Sequence, residues 1–447
     1  MKARLLTLWE KVHTSFWFVP ALVIGGALLL AQFTLRLDHQ IDEAEVNRLP
    51  LVFRDGVEGA RSLLSAVAGS MITVTGVTFS VMIVAFTLAS SQFTPRLLRN
   101  FMRDFGNQMV LGIFIATFAY CLCILRVVGG PTGDFIPRIS VTCGFALTAI
   151  SIGALVYFIH HAASLIQAQS IIANIGRELD SALKPLYPDE IGAPAPATDG
   201  ADLPRDFDAQ ATAVGARGSD YLEALNGDGL MDLAERHDLI IALEHRPGDF
   251  AIQGETIARV YPIEKVTEDI RDCVRAAFIY GPERTQTQDP EFMLHELVEI
   301  AVRALSPGIN DPTTATLCVD RLAAALGRVA ASEMPSSRRY GKDGRLRIVA
   351  KRYGFGGLVD AAFNPIRQYG RESVAVTIRL LEAVRRVALH ARRDEDREAL
   401  LRQAAMIERG SREDGFDSGD QEDVAEAFRA ALAALGRLPV AQTRSAA

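Results

Sequence analysis

Charge is what the first part of this chain has least of. No Asp, Glu, Lys or Arg lies between Arg61 and Arg96, and an uncharged run of that length excludes an ordinary solvent-facing helix. Cysteine is sparse too. Cys121, Cys123, Cys143, Cys273 and Cys318 show no paired metal spacing, so they read as small hydrophobes outside any disulfide or zinc framework. There is no long basic run and the formal net charge is −7, which argues against nucleic acid as a partner. A G-x-S-x-G elbow, a P-loop and a Gly-rich phosphate loop after a clear strand are all missing, as is any internal repeat. These absences leave no recognisable catalytic chemistry. The expectation is a protein that is not an enzyme and needs no metal or cofactor.

What is present is unevenly distributed. The chain of 447 residues exceeds one ordinary domain, and its 49% hydrophobic content is concentrated before about residue 168. A bilayer core takes roughly 20 helical residues, and four runs meet that length, at about 16–35, 64–91, 109–128 and 139–161. Lys2, Arg4 and Lys11 precede the first, but no small-residue cleavage site follows it, so it reads as an uncleaved span. The fold class expected is therefore a membrane α-helical part with four transmembrane helices, followed by a soluble α+β region, mostly helical, with a small β-rich unit. The divisions are 1–168 for the membrane part, 169–207 for a helical extension and flexible connector, 208–262 for the β-rich unit, 263–409 for a helical domain and 410–447 for a variable tail. Arg96, Arg99 and Arg103 after the second span put that loop and the N-terminus in the cytoplasm. Four spans then return the C-terminal part there, in a bacterial inner membrane. The adjacent pair His160–His161 reads as interfacial, because neighbours on a helix point to different faces.

The second span is oddly polar. Gly69, Thr73, Gly76, Ser80, Thr87 and Ser91 recur on one helical face. Two readings stand. One is a close helix–helix seam, since small residues let backbones approach in lipid. The other is a wall of a polar conduit. Four spans enclose little, so either use implies several copies of the chain.

In the soluble part, short strands are expected at 211–216, 220–224, 237–244, 250–252 and 256–261. The segment R-P-G-D-F-A-I-Q-G-E-T-I-A-R-V from Arg246 resembles a carrier-domain hairpin without its carrier lysine. A single long helix is expected over 369–390. The densest polar stretch runs from Tyr280 to Ala315. Asp289-Pro290 and Asp311-Pro312 each place a carboxylate at a helix N-cap with proline at the next position. His295 and Glu299 share a face of the first of these helices. H-E-L-V-E lacks the second histidine of a zincin helix, so no metal site follows from it. The candidate ligand-binding set over 283–311 is Arg284, Thr285, Gln288, Asp289, His295, Glu299, Asn310 and Asp311, because arginine forks suit phosphate or carboxylate. Arg352, Arg367 and Arg371 either add charge to such a pocket or, the preferred reading, form a solvated face.

F-S-V in the second span, S-S-Q-F-T-P-R-L-L-R-N-F after it, G-P-E-R-T-Q-T-Q-D-P-E-F and A-L-S-P-G-I-N-D-P-T-T-A together resemble the bacterial predicted-membrane-protein family known as domain of unknown function 2254. The resemblance spans about residues 10–405. It implies an inner-membrane protein with four N-terminal spans and a cytoplasmic remainder, and it carries over no activity. The functional expectation is a homo-oligomeric channel- or transporter-like protein whose partners are the lipid bilayer and its own copies. The alternative is a membrane-anchored enzyme or ligand sensor built on the 283–311 stretch.

Overall fold

A computed structural model describes residues 16–41, 52–92, 104–130, 135–165, 167–183, 191–193, 203–286, 288–413 and 415–436. The basic N-terminus, the loop arginines 96, 99 and 103 and most of the 187–207 connector lie outside these residues. The chain divides into two compact units, Met1–Ser170 and Ile171–Ala447.

The first unit holds α1 (Phe18–Gln40), α2 (Val57–Gln92), α3 (Phe105–Leu125) and α4 (Arg138–Leu165). All four are long and apolar enough to cross a membrane. In α3, 56% of the most apolar window is buried, against 22–28% in the others, so α3 is the central helix on which the other three pack. Its Tyr120 is fully buried; the hydroxyl donates to the Ser140 carbonyl at 3.0 Å and lies 2.9 Å from the Thr34 hydroxyl. Each helix runs past its hydropathy bounds at one end or both. Asp38 explains one of them. Its carboxylate, on the last turns of α1, accepts from the Ile139 and Ser140 amides at 2.8 and 2.9 Å and from the Ser140 hydroxyl at 2.6 Å. An acid of one helix thus caps the N-terminus of another.

The second unit begins within α5 (Ala168–Ala182) and continues through a short α6 (Phe207–Gln210). Next come β1 (Thr212–Gly215), β2 (Asp220–Leu225), α7 (Gly227–His237), β3 (Ile240–Leu243), β4 (Phe250–Ala251) and β5 (Thr256–Tyr261). Then follow α8 (Glu268–Ala277), β6 (Phe278–Gly281), α9 (Pro290–Ala304), α10 (Pro312–Ala331), β7 (Arg338–Tyr340) and β8 (Leu346–Val349). The unit closes with α11 (Phe355–Tyr369), α12 (Val374–Ala388), α13 (Asp394–Glu413) and α14 (Ser418–Leu435).

One sheet has the order β1-β5-β3-β8-β7 and the other β4-β2-β6. β3 and β8 run parallel; the other pairings are antiparallel. Strands therefore come from both sides of residue 262. The expected hairpin from Arg246 is absent: β4 pairs with β2, whereas β5 pairs with β1 and β3. The turn glycine is present, with Gly254 at φ +86°, but the chain uses it to pass from one sheet to the other. The long helix expected over 369–390 is shorter, α12 at Val374–Ala388; Tyr369 ends α11, and Gly370 begins the turn between them. A Cβ there would lie 2.7 Å from Val376 Cγ1 and 2.9 Å from the Ile366 carbonyl, so glycine permits the tight turn.

Candidate functional site

The polar stretch after β6 folds back on β2. Thr285 donates to the Glu223 carbonyl at 3.4 Å. The Gln288 amide accepts from Leu225 N at 2.8 Å and donates to Leu225 O at 3.3 Å, so one side chain satisfies both backbone groups of a strand-end residue. Asp289 is 1% exposed. It caps α9 by accepting from Phe292 N at 3.3 Å, and it receives Arg284 Nε at 2.8 Å and Nη2 at 2.6 Å. The buried Tyr353 hydroxyl donates to the Pro247 carbonyl at 2.6 Å and stands 3.1 Å from Asp289 Oδ1. Burial, with the Asp289 charge beside it, raises the Tyr353 pKa far above the usual phenol value.

Arg246 completes the cluster. Its guanidinium carbon sits 3.9 Å over the Tyr353 ring and its Nη2 meets Glu291 at 2.8 Å, a cation–π contact and an ion pair on one side chain. Lys351 reaches Asp249 at 3.0 Å. Burial raises the Glu291 pKa, and Arg246 only partly opposes this. Gly248, at φ +92°, leaves room for the cluster, because a Cβ there would lie 2.9 Å from Arg284 Nη2. Arg246, Arg284 and Lys351 balance Asp249, Asp289 and Glu291, so the group is neutral as a whole and satisfied within itself.

The sequence set does not converge on one point. Asn310 takes the left-handed conformation (φ +47°) in the turn after α9. Asp311 caps α10, accepting from Thr314 N at 3.1 Å and from its hydroxyl at 2.5 Å. The 15 residues of α9 separate this turn from Asp289 by about 22 Å at 1.5 Å per residue. His295 and Glu299 lie half-buried along α9 between the two ends, each with partners of its own. Among the described residues no group of three or more His, Cys, Asp or Glu is placed to hold a metal ion. Sequence reasoning missed Arg246 and Tyr353; the R-P-G-D turn was the available signal for the first, and nothing local marked the second.

In the first unit, α2 packs through Ala60, Leu64, Ala68, Met71, Thr75, Thr78, Met82 and Phe86. Gly69, Thr73, Gly76, Ser80 and Thr87 lie on the opposite side and are exposed. The three hydroxyls fold back on their own helix, Thr73 to Gly69 O, Ser80 to Gly76 O and Thr87 to Ile83 O, each at 2.9 Å. A Cβ added at Gly69 or Gly76 would meet nothing within 4 Å. Ser91 lies outside the residues whose side chains are described. At the other end of the unit His161, stacked on Tyr157, holds Asp104 at 2.8 Å, and Asp104 caps α3 through Asn107 N. His160 is exposed, so the two histidines do diverge.

The family described as "Predicted membrane protein (DUF2254)" matches residues 13–386. The chain belongs to this family. Uncharacterized proteins of Mycobacterium bovis and Mycobacterium tuberculosis are 31% identical to it over 423 residues, 92% of this chain and 79% of each relative. No solved structure matches. The DUF2254 match takes in the α2 stripe, the Arg246–Arg284–Asp289 cluster and both proline-led helix starts.

Proposed function

We propose that this DUF2254 protein is a homo-oligomeric membrane protein of channel or transporter type, in a bacterial inner membrane. Copies meet through the Gly69–Thr87 face of α2, and the second unit serves as a cytoplasmic assembly or regulatory module. One observation carries the reading. The face with the smallest and most polar side chains of the span points away from the packed side of its own bundle. Among the described residues of its unit no helix packs on it, and in lipid small residues gain contact by letting a second backbone come close. The hydroxyls already bond to their own helix, which suits a seam first. A conduit would run between copies, because the interior of a single bundle is filled by Leu64, Phe114, Tyr120 and Ile124. The neutral, self-paired cluster around Asp289 gives the ligand-sensor alternative no comparable support. The basic residues 96, 99 and 103 favour a cytoplasmic second loop, and with four spans both termini follow.

The test is a triple replacement, Thr73→Leu, Gly76→Leu and Ser80→Leu, read by native mass spectrometry from lipid nanodiscs and by ion flux in liposomes. Wild type should be multimeric and the variant monomeric. A monomeric wild type, or a variant that stays assembled, overturns the seam. Absence of flux in wild type under every gradient removes the conduit and leaves the assembly standing.

A further inference from the structure

The turn between α11 and α12 carries a second polar feature, distinct from the Asp289 cluster. Arg367, Arg371, Thr377, Ser411 and Glu413 line a cavity of about 190 Å³, closed on one side by Leu380 and Ile407. α13 supplies the facing wall. Arg367 is half-buried, contrary to the solvated face expected for it. Its Nε is fully buried and meets no acceptor, and it forms no ion pair with any described residue. A buried guanidinium N–H left open is costly, so this position favours an acceptor beside it. Thr377 offers a second donor. It is 4% exposed and faces the same cavity, and its hydroxyl bonds to no described residue although the usual helical acceptor, the Ser373 carbonyl, is one turn away. Ser411, by contrast, is committed to the Glu408 carbonyl at 2.7 Å and acts as wall.

The surroundings set the sign of the missing group. The Arg367 guanidinium, which has no ion-pair partner among the described residues, faces the cavity, and Glu413 on its wall is exposed. The 15-residue α12 begins beside them with no side-chain cap at Ser373, so its positive end is unopposed. A compact oxyanion answers each of these needs: it accepts from a guanidinium fork and from a hydroxyl, and it neutralises the Arg367 charge. We propose that this cavity binds a phosphate group, with Arg367 and Thr377 as its donors. The volume and the Leu380–Ile407 wall leave room for a small organic portion. This site stands independently of the assembly through α2.

Inorganic phosphate is the probe, added to the full-length protein in detergent, with chloride at matched ionic strength as control and thermal unfolding as the readout. Phosphate should raise Tm saturably. Arg367→Gln should raise the half-saturating concentration about tenfold or more and Thr377→Val several-fold, with Arg367→Lys between wild type and Arg367→Gln, because lysine keeps the charge and loses the fork. No saturable rise over chloride, or the same half-saturation in wild type, Arg367→Gln and Thr377→Val, overturns the proposal. Should Arg367→Gln fail to fold, the near-isosteric Thr377→Val decides alone. Phosphatidylglycerol in mixed micelles separates the two sources of phosphate. Displacement of the phosphate effect identifies a lipid headgroup, and no displacement identifies a soluble phosphate compound.

Discussion

Asp289 is both a helix cap and the counter-ion of Arg284, and substitution can separate the two roles. Asparagine caps about as well as aspartate but removes the charge. Losing a cap costs about 0.5–2 kcal/mol, whereas uncoupling a buried ion pair costs about 3–5 kcal/mol. Arg284 keeps 22% side-chain exposure, which lowers the second figure to about 2–3 kcal/mol. Asp289→Asn should therefore lower Tm by roughly 5–10 °C in a unit of this size, close to the loss in Asp289→Ala. An Asp289→Asn protein melting with wild type would assign the residue to capping alone. The caps at Asp289 and Asp311 were legible in sequence because a cap and its proline are neighbours. The counter-ion role was half legible, since Arg284 lies five residues away, but Tyr353 joins from 64 residues downstream. Arg367 was misread for a related reason. A sequence gives the charge of an arginine and says nothing of which side of the helix its neighbours close over.

Among the elements, the four membrane helices were legible because twenty apolar residues have few other uses. Their ends were not, since Asp38 at the end of α1 serves the start of α4 about a hundred residues later. Asp38→Ala removes three hydrogen bonds at once and leaves the first amides of α4 open. We expect a loss of about 1–3 kcal/mol, seen as a lower Tm and a broader gel-filtration peak, with Asp38→Asn milder. An Asp38→Ala protein as stable as wild type would show that lipid or water replaces the carboxylate. The strands β1, β2 and β5 were also close to their expected places, because alternation and turn residues are local signals. Their partners were not. β4 and β5 sit on either side of one glycine turn and belong to different sheets.

For the whole molecule, the acidic groups set a stability profile with two opposed parts. Arg347 and then Lys265 hold Asp238 well below its usual value, and Arg347 holds Asp343 low as well. Their contribution is present above the unfolded value of 3.8 and is lost as pH falls through the lower folded values. Burial raises Glu291 and Asp396 instead, so their ionised forms cost stability at neutral pH, a cost relieved as pH falls toward 4.5 and 3.8. Melting temperature should hold or rise on mild acidification and fall below about pH 4. In Asp238→Asn, where asparagine tolerates the left-handed backbone (φ +49°), the acid fall should be shallower; an unchanged slope would place the acid sensitivity elsewhere. The parallel pairing of β3 with β8 bears on how the molecule is made. Ile240–Leu243 leaves the ribosome about 100 residues before Leu346–Val349, a wait of roughly 5–20 s at ordinary translation rates. Until β8 emerges the newborn sheet has only β1, β5 and β3 and ends at β3 with one side unpaired, and whatever shields that edge, a chaperone or the helices α7 to α10 folding beside it, belongs to the protein's biosynthesis as much as its sequence does.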